Sequence, residues 1–519
     1  MSTLTLLKHY LLPYFPHILF ISFITWHIHA WYRLRHIPGP FFGSFSHLYK
    51  LYAWSTGHQA HIYAALAEKY NSTLIRIAPN ELISSDPEFV RKMAGARSLY
   101  TKSAWYDPLR LDPDGRNLFV MTDNVAHGKL RAKLSWGYSG KENPNLEQDI
   151  DGIVQQFVDY FRVKGYISTE TETRRVDMVK AAGYFTLDFI TKISYGNAFG
   201  YLERDEDVFG YMEIVKKVTP TLVLFSEWPV LAKIFLNPVM LRLFGPKRTD
   251  ERGLGKLLGV AQEVVAERFA PGAKDKQDML GAFIRHGVTQ RECEYEIPFQ
   301  ISAGADTTAN AVRGTLLHLA ATHHAYHRLQ KEMDEGIAQG RISSPITMEE
   351  AKQLPYLQAV IYEGLRLSMP LVGIVLKVVP AGGDTIAGHF VPGGTWVGHN
   401  AIQLQRRADV YGEDYDVFRP ERWLADPSHR KFMVDTVEML FGHGRWQCLG
   451  KQMAFMELNK VFVELLRRYD FQVMYPKTPI KETNYSVVFH EDMWMRVTER
   501  FTTQECGGLL STTAFLSSA

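Results

Sequence analysis

One cysteine, Cys448, sits in the ten-residue loop Phe441–Gly450, FGHGRWQCLG, which runs straight into a long amphipathic helix. The stretch after Leu449, KQMAFMELNKVFVELLRRYDF, keeps Met453, Met456, Phe462 and Leu466 at helical spacing, with Lys451, Glu457, Lys460, Glu464 and Arg467 between them. A helix N-terminus and nearby cations are the surroundings that lower a thiol pKa and favour the thiolate, the form that binds metal. Gly442 and Gly444 permit a tight turn and a close approach of backbone to a flat partner. On these residues alone an inert structural cysteine, a zinc ligand and a phosphate loop all stay open. Zinc is the weakest of the three, because a structural site needs four ligands and the other cysteines are Cys293 and Cys506.

Three further constellations stand out. In ISAGADTTANAVRGTLLHLAATHH, the run Ala303-Gly304-Ala305-Asp306-Thr307-Thr308 places an acid and two hydroxyls among small residues of an otherwise apolar helix. Gly304 and the threonines lower helix propensity, and a buried carboxylate is costly unless paired. Either Asp306 pairs locally while the hydroxyls bond back to the preceding turn, or the composition serves a function. In PYLQAVIYEGLRLSMP, Glu363 and Arg366 lie on one helix face at i,i+3, and FRPERWL, carrying Arg422, follows later. His127 and Arg131 share a face at i,i+4, where a solvated surface position is the ordinary reading.

The loop resembles the FxxGxxxCxG haem-binding signature of the cytochrome P-450 family, and matches all four of its fixed positions. The distal-helix AGxDTT motif, the ExxR pair with its later arginine, and the His127/Arg131 spacing occur in the family's order, so the resemblance covers nearly the whole globule. It implies heme b with Cys448 as axial iron ligand, Phe441 against the cofactor, and His127 and Arg131 toward the propionates. It further implies that Asp306 and Thr307 deliver protons during oxygen activation, and that Gly304 leaves room above the haem. Glu363, Arg366 and Arg422 are implied as a buried, fold-holding triad. Trp446 departs from the pattern, since the family often has an arginine there. A propionate contact from this loop must then come from Arg445. Segments such as RIAPNELISSDPE and QDMLGAFIRHG look closest to fungal pisatin-demethylase-like members of secondary metabolism.

The resemblance implies a mainly α fold with minor β-sheets and a monooxygenase that inserts one oxygen atom of O2 into a lipophilic small molecule, by hydroxylation, epoxidation or dealkylation. Electrons would come from NADPH through a separate NADPH-cytochrome reductase, since no flavin- or nicotinamide-binding module is recognised in the chain. Arg430, Lys431, Arg445 and Lys451 form a candidate basic docking face. Contacts of the substrate, by resemblance, fall in Trp105 to Met121, Val218 to Leu236, Leu371 to Leu376 and Tyr485 to Phe489. Terpenoid, polyketide and alkaloid skeletons all fit such surroundings. Two rival readings are a reductase-independent haem-thiolate isomerase or dehydratase, against which the Asp306-Thr307 pair speaks, and a non-catalytic membrane haem-binding protein.

Composition narrows the setting. A net charge of 58 − 56 = +2 with 46% hydrophobic residues excludes disorder and argues against nucleic acid as a partner. Three cysteines among 519 residues argue against a disulfide framework and for a reducing compartment. From Tyr10 to Tyr32 there is no Asp, Glu, Lys or Arg; as a helix this run would extend roughly 34 Å, enough for a bilayer core. Trp26, Trp31 and Tyr32 suit an interfacial belt, and Arg33 and Arg35 the cytosolic side. The expected organisation is an anchor at 1–36 with Pro38-Gly39-Pro40 as hinge, a haem domain at 37–500 and a tail at 501–519. This corresponds to a single-pass protein of the endoplasmic reticulum membrane, in contact with lipid, its catalytic domain cytosolic.

Overall fold

The computed structural model describes residues 14–110, 112 and 114–500; the tail 501–519, with Cys506, and residues 1–13 lie outside them. The principal helices are α1 (Phe15–Arg33), α2 (Asn124–Tyr138), α3 (Leu146–Val163), α4 (Met178–Tyr195), α5 (Tyr211–Glu227), α6 (Gln290–Ala321), α7 (Pro355–Leu367) and α8 (Lys451–Arg468). Their sequences explain their packing. In α3, Leu146, Ile150, Ile153, Val154, Phe157 and Phe161 recur at three- and four-residue steps and are all buried. The 32-residue α6 starts on a capping box, with the Thr289 hydroxyl accepting from the Glu292 N–H and the Glu292 carboxylate accepting from the Thr289 N–H. One continuous core joins Leu130 and Leu134 of α2, Phe157 of α3, Phe185 of α4, Ala305 and Val312 of α6, Val360 of α7, and Val461 and Leu465 of α8.

The strands are short: β1 (Leu74–Ala78), β2 (Glu81–Ser84), β3 (Thr101–Lys102), β4 (Val176–Asp177), β5 (Lys377–Val378), β6 (Asp384–Ile386), β7 (His389–Val391), β8 (Trp396–His399), β9 (Tyr469–Val473), β10 (Lys481–Tyr485), β11 (Val487–Glu491) and β12 (Trp494–Glu499). They form a five-stranded sheet ordered β1-β2-β8-β5-β3, a three-stranded sheet β4-β12-β9, and two pairs, β6-β7 and β10-β11. In the five-stranded sheet the antiparallel register of β3 on β5 sets Lys102 directly opposite Lys377. The architecture is thus mainly helical with minor sheets, as expected from the sequence.

The N-terminal expectations fare differently. Among the described residues no single helix is long and apolar enough to cross a membrane, and residues 10–13 of the expected span lie outside them. Along α1, Phe20, Ile21, Phe23, Trp26 and Ile28 are exposed. Its C-terminal end is docked on the globule by Arg76, whose buried guanidinium donates to the carbonyls of Ala30 (2.9 Å), Trp31 (3.2 Å) and Pro79 (2.7 Å). The Pro38-Gly39-Pro40 segment is no free hinge: the Arg76 N–H donates to Pro38 O at 2.8 Å, and a Cβ on Gly39 would lie 2.2 Å from Arg76 O. It is pinned along β1.

Candidate functional site

The Cys448 loop is closed by its own backbone, the Cys448 N–H donating to Phe441 O at 2.6 Å. Gly442 and Gly444 have φ of 70° and 54°. A Cβ on Gly442 would sit 2.8 Å from Trp446 O, and one on Gly444 2.2 Å from Ala94 O. Both glycines are therefore required by the turn and by the neighbouring chain. Gly444→Ala is expected to cost about 1–3 kcal/mol through left-handed backbone strain, before any displacement of Ala94 is counted; chemical denaturation of the purified protein measures it.

Cys448 lies just ahead of α8, whose N-terminal N–H groups, those of Gly450 and Lys451, act on its sulfur. The side chain is exposed, yet burial by the surrounding protein is the first cause acting on its thiol and raises the pKa above the ordinary value. A sulfur at the wall of a recess satisfies both observations. The Gly450 and Lys451 N–H groups and the charges of Arg131 and Lys451 act the other way, toward thiolate. Arg131, on α2, is held there by donating to Gln447 O at 2.6 Å. Phe441 is half-buried with its ring 5.6 Å from that of Phe455.

Around the same loop, cationic groups converge. His127 is buried on α2; burial first, then the charges of Lys102, Arg131, Arg445 and Lys377, hold its imidazole down to about 3, so it is neutral at physiological pH. Lys102 donates to the carbonyls of Leu118 (3.1 Å) and Phe119 (2.7 Å) and is lowered by burial to about 7. Lys377 donates to Tyr106 Oη and to Val375 O (2.7 Å) and is held well below its ordinary value by burial and by Lys102. Arg445 donates to Ala96 O. Among the described residues none of these cations forms an ion pair with a carboxylate. Glu296 approaches Lys102, but burial lifts its carboxyl to about 8, and it accepts from the Leu118 N–H at 2.5 Å. Burial beside one another without an anion holds these groups toward their neutral forms, and an anion placed among them would favour their charges. A soft thiolate donor beside unbalanced cations fits an anionic, metal-centred prosthetic group such as haem.

The middle of α6 supplies a second wall. Ser302, Ala303, Gly304, Asp306 and Thr307 keep partial exposure, while the residues from Thr308 to Leu316 are buried. Asp306 Oδ2 accepts from the Tyr211 hydroxyl of α5 at 3.1 Å. Burial pushes its carboxyl up to about 6, against the pull of Arg313 and of Tyr211. Thr307 Oγ1 donates to Ala303 O at 2.8 Å, the back-bonded arrangement, which leaves its oxygen lone pairs as acceptors. Asp306 and Thr307 are adjacent, but each bonds elsewhere. Gly304 also serves the helix packing: its missing Cβ would lie 2.8 Å from Ile190 Cδ1, so glycine here lets α6 pack closely on α4.

The triad is assembled as the sequence implied. Glu363 and Arg366 are fully buried, and the guanidinium donates Nε to Oε2 and Nη2 to Oε1, both at 2.8 Å. Arg422 Nε donates to Glu363 Oε1 at 3.0 Å, and two unforeseen donors, Trp423 Nε1 (2.9 Å) and the Arg419 N–H (2.9 Å), complete the carboxylate. Lys102, Lys377 and Tyr211 were missed by sequence reasoning. The signal for Lys377 was a lone charge within the apolar run Ile374 to Val379.

Comparison with known proteins bears on this geometry. The cytochrome P-450 family model matches residues 35–493. The chain is similar to cytochrome P-450 monooxygenase ABA1 of Pyricularia oryzae, with 48% identity over 476 residues, 90% of this chain and 93% of that one. It is similar to aba1 of Botryotinia fuckeliana at 40% identity, covering 90% and 92% of the two chains. Cytochrome P-450 monooxygenase abl1 of Leptosphaeria maculans matches at 37% identity over 90% of this chain and 84% of its own.

Proposed function

Because the chain belongs to the cytochrome P-450 family and is a monooxygenase, we propose that it oxidises a lipophilic metabolite of fungal secondary metabolism, held on the endoplasmic reticulum membrane with its catalytic domain in the cytosol. The observation that carries the reading is Cys448 at the head of α8 beside buried basic groups that pair with no carboxylate among the described residues. Cys448 is the residue that would hold haem iron, with His127, Arg131, Lys102 and Lys377 toward its carboxylates. Haem bound through a thiolate supplies the activation of molecular oxygen.

The chain's own residues manage protons and substrate. Asp306 accepts and releases a proton at its carboxylate, and the Tyr211 hydroxyl holds that carboxylate in place. The Thr307 hydroxyl, bonded back to Ala303, offers its oxygen as an acceptor for the same relay. The substrate faces aromatic surfaces: Phe119 stacks on Phe299 at 5.1 Å, and Tyr106 meets Phe119 edge-on at 5.3 Å. Buried Trp105 donates to Glu227 Oε1 at 3.0 Å, tying this loop to the end of α5. Shifts of the haem absorption band on titration with a panel of apolar metabolites test the substrate class; a panel of terpenoids, polyketides and alkaloids that leaves the band unmoved would overturn it.

Asp306→Asn is expected to lower turnover about 10²-fold, the usual scale of general acid–base catalysis. A carboxyl raised to about 6 is protonated below that pH and ionised above it, so turnover against pH should show an ionisation near about 6 that Asp306→Asn removes. The Tyr211 hydrogen bond favours the carboxylate, so Tyr211→Phe should move the ionisation upward; an unmoved profile in both variants removes Asp306 from the relay. Thr307→Ala should consume NADPH without matching product.

Electrons come, on this reading, from a separate NADPH-dependent reductase. Of the basic residues expected to attract it, Lys431 pairs with Asp435 (2.9 Å) and Lys451 with Glu438 (2.5 Å), so the docking face is less positive than its sequence. Membrane contact is supported by the exposed Phe20, Ile21, Phe23 and Trp26 of α1 and by exposed Phe41, Phe42, Ile234, Phe235, Leu243 and Phe244. On this reading the anchor comprises 1–36 and the haem domain 37–500.

A further inference from the structure

The loop position where the family often has arginine is Trp446, and its surroundings are unusual in three respects. Its indole Nε1 is buried and has no acceptor. Lys377 Nζ lies 4.8 Å from the centroid of its ring, within cation–π range. Lys377 in turn stands opposite Lys102 across the β3–β5 pair, so two buried lysine amines share one face and each disfavours the other's charge. Like charges directly opposite one another destabilise a strand pair, and a buried indole N–H without an acceptor is a further unfavourable element. Next along the sheet, His399 of β8 is also depressed by burial and by Lys377, and its Nδ1 has no partner.

One ligand chemistry relieves the indole and the lysines at once: a carboxylate placed between the indole N–H and the lysine amines. We propose that Trp446 and Lys377 together replace the missing loop arginine, the indole N–H and the Lys377 ammonium both donating to one haem carboxylate, with the Trp446 ring as the platform that holds the lysine in place. Arginine would combine charge and directed N–H in one side chain. Here the two are divided between a loop residue and a strand residue. Arg445 does not take over the role, because its guanidinium is turned to Ala96 O and its Cζ lies 5.8 Å from the Trp446 ring.

The inference rests on the haem reading, and the test separates the two. It uses full-length protein with and without haem, following haem transfer to apomyoglobin, the haem reduction potential and the denaturation midpoint of the haem-free form. For Lys377→Met, haem transfer should accelerate about tenfold, the scale of a lost hydrogen bond to a charged group. Its potential should fall as a positive charge is removed. The haem-free form of the same variant should be at least as stable as wild type, because a buried amine that desolvation and Lys102 disfavour is gone. A merely structural lysine would instead lower stability in both forms. Trp446→Phe keeps the ring and loses the N–H, and should give a smaller acceleration with a nearly unchanged potential. Trp446→Arg added to Lys377→Met should restore slow haem transfer. Variants whose transfer rate and potential match wild type overturn this assignment while leaving the haem reading intact; a wild-type protein that takes up no haem overturns both.

Discussion

Cys448→Ser is expected to abolish the thiolate-type Soret band of the reduced carbon monoxide complex and to lower turnover by about 10³-fold or more, a barrier increase of roughly 4 kcal/mol. The size follows from what the site stabilises. Two N–H groups at the head of α8 and the charges of Arg131 and Lys451 favour an anionic sulfur, and a serine hydroxyl, far weaker as an acid, stays neutral in the same surroundings. The electron donation that favours O–O cleavage is thereby lost. The fold should survive, because the side chain lines a recess and is not packed in the apolar core. Circular dichroism at wild-type intensity together with the lost band would establish this; a variant that keeps the band would remove Cys448 as the ligand.

Glu363→Gln is expected to cost about 3–5 kcal/mol of stability and to reduce the folded yield sharply. The carboxylate is fully buried and accepts from Arg366, Arg422, Trp423 and the Arg419 N–H. Removing its charge leaves buried Arg366 without an anion and Arg422 with only the more exposed Asp414 carboxylate, at 3.2 Å. Arg366 still donates to the carbonyls of Gln405 (2.9 Å) and Tyr415 (2.5 Å), and Arg422 to those of Asp414 (2.9 Å) and Val417 (3.1 Å). Those dipoles orient the arginines but do not neutralise them. Denaturant unfolding of the variant checks the figure, and wild-type stability would show that the triad contributes no net stabilisation.

Local pattern carried much of the fold. The stretches Leu146 to Val163 and Ala181 to Ile193 were legible as helices because their apolar residues recur at the period that one buried face requires. Boundaries were less so: the α8 pattern ran on to Phe471, whereas the chain turns into β9 at Tyr469, where pairing with β12 prevails over local helix periodicity. At the site, Cys448, Glu363 and Arg366 could be named because their chemistry depends on near neighbours in the chain. That Gly304 meets Ile190 of α4 was not legible, because a glycine's sequence does not show which neighbour its missing Cβ would strike.

The amino-acid sequence by itself determined the thiol loop, the helix that follows it, the acid–hydroxyl run of α6 and the Glu363/Arg366 pair, each encoded within a few turns of chain. Only the tertiary structure decided that Tyr211 holds Asp306, that Lys102 faces Lys377, and that Trp446 lies under a lysine from a distant strand. The physical reason is that these contacts depend on strand register and on helix packing. Both are settled by the burial of the whole core, and no local periodicity records which distant charges that burial will bring together.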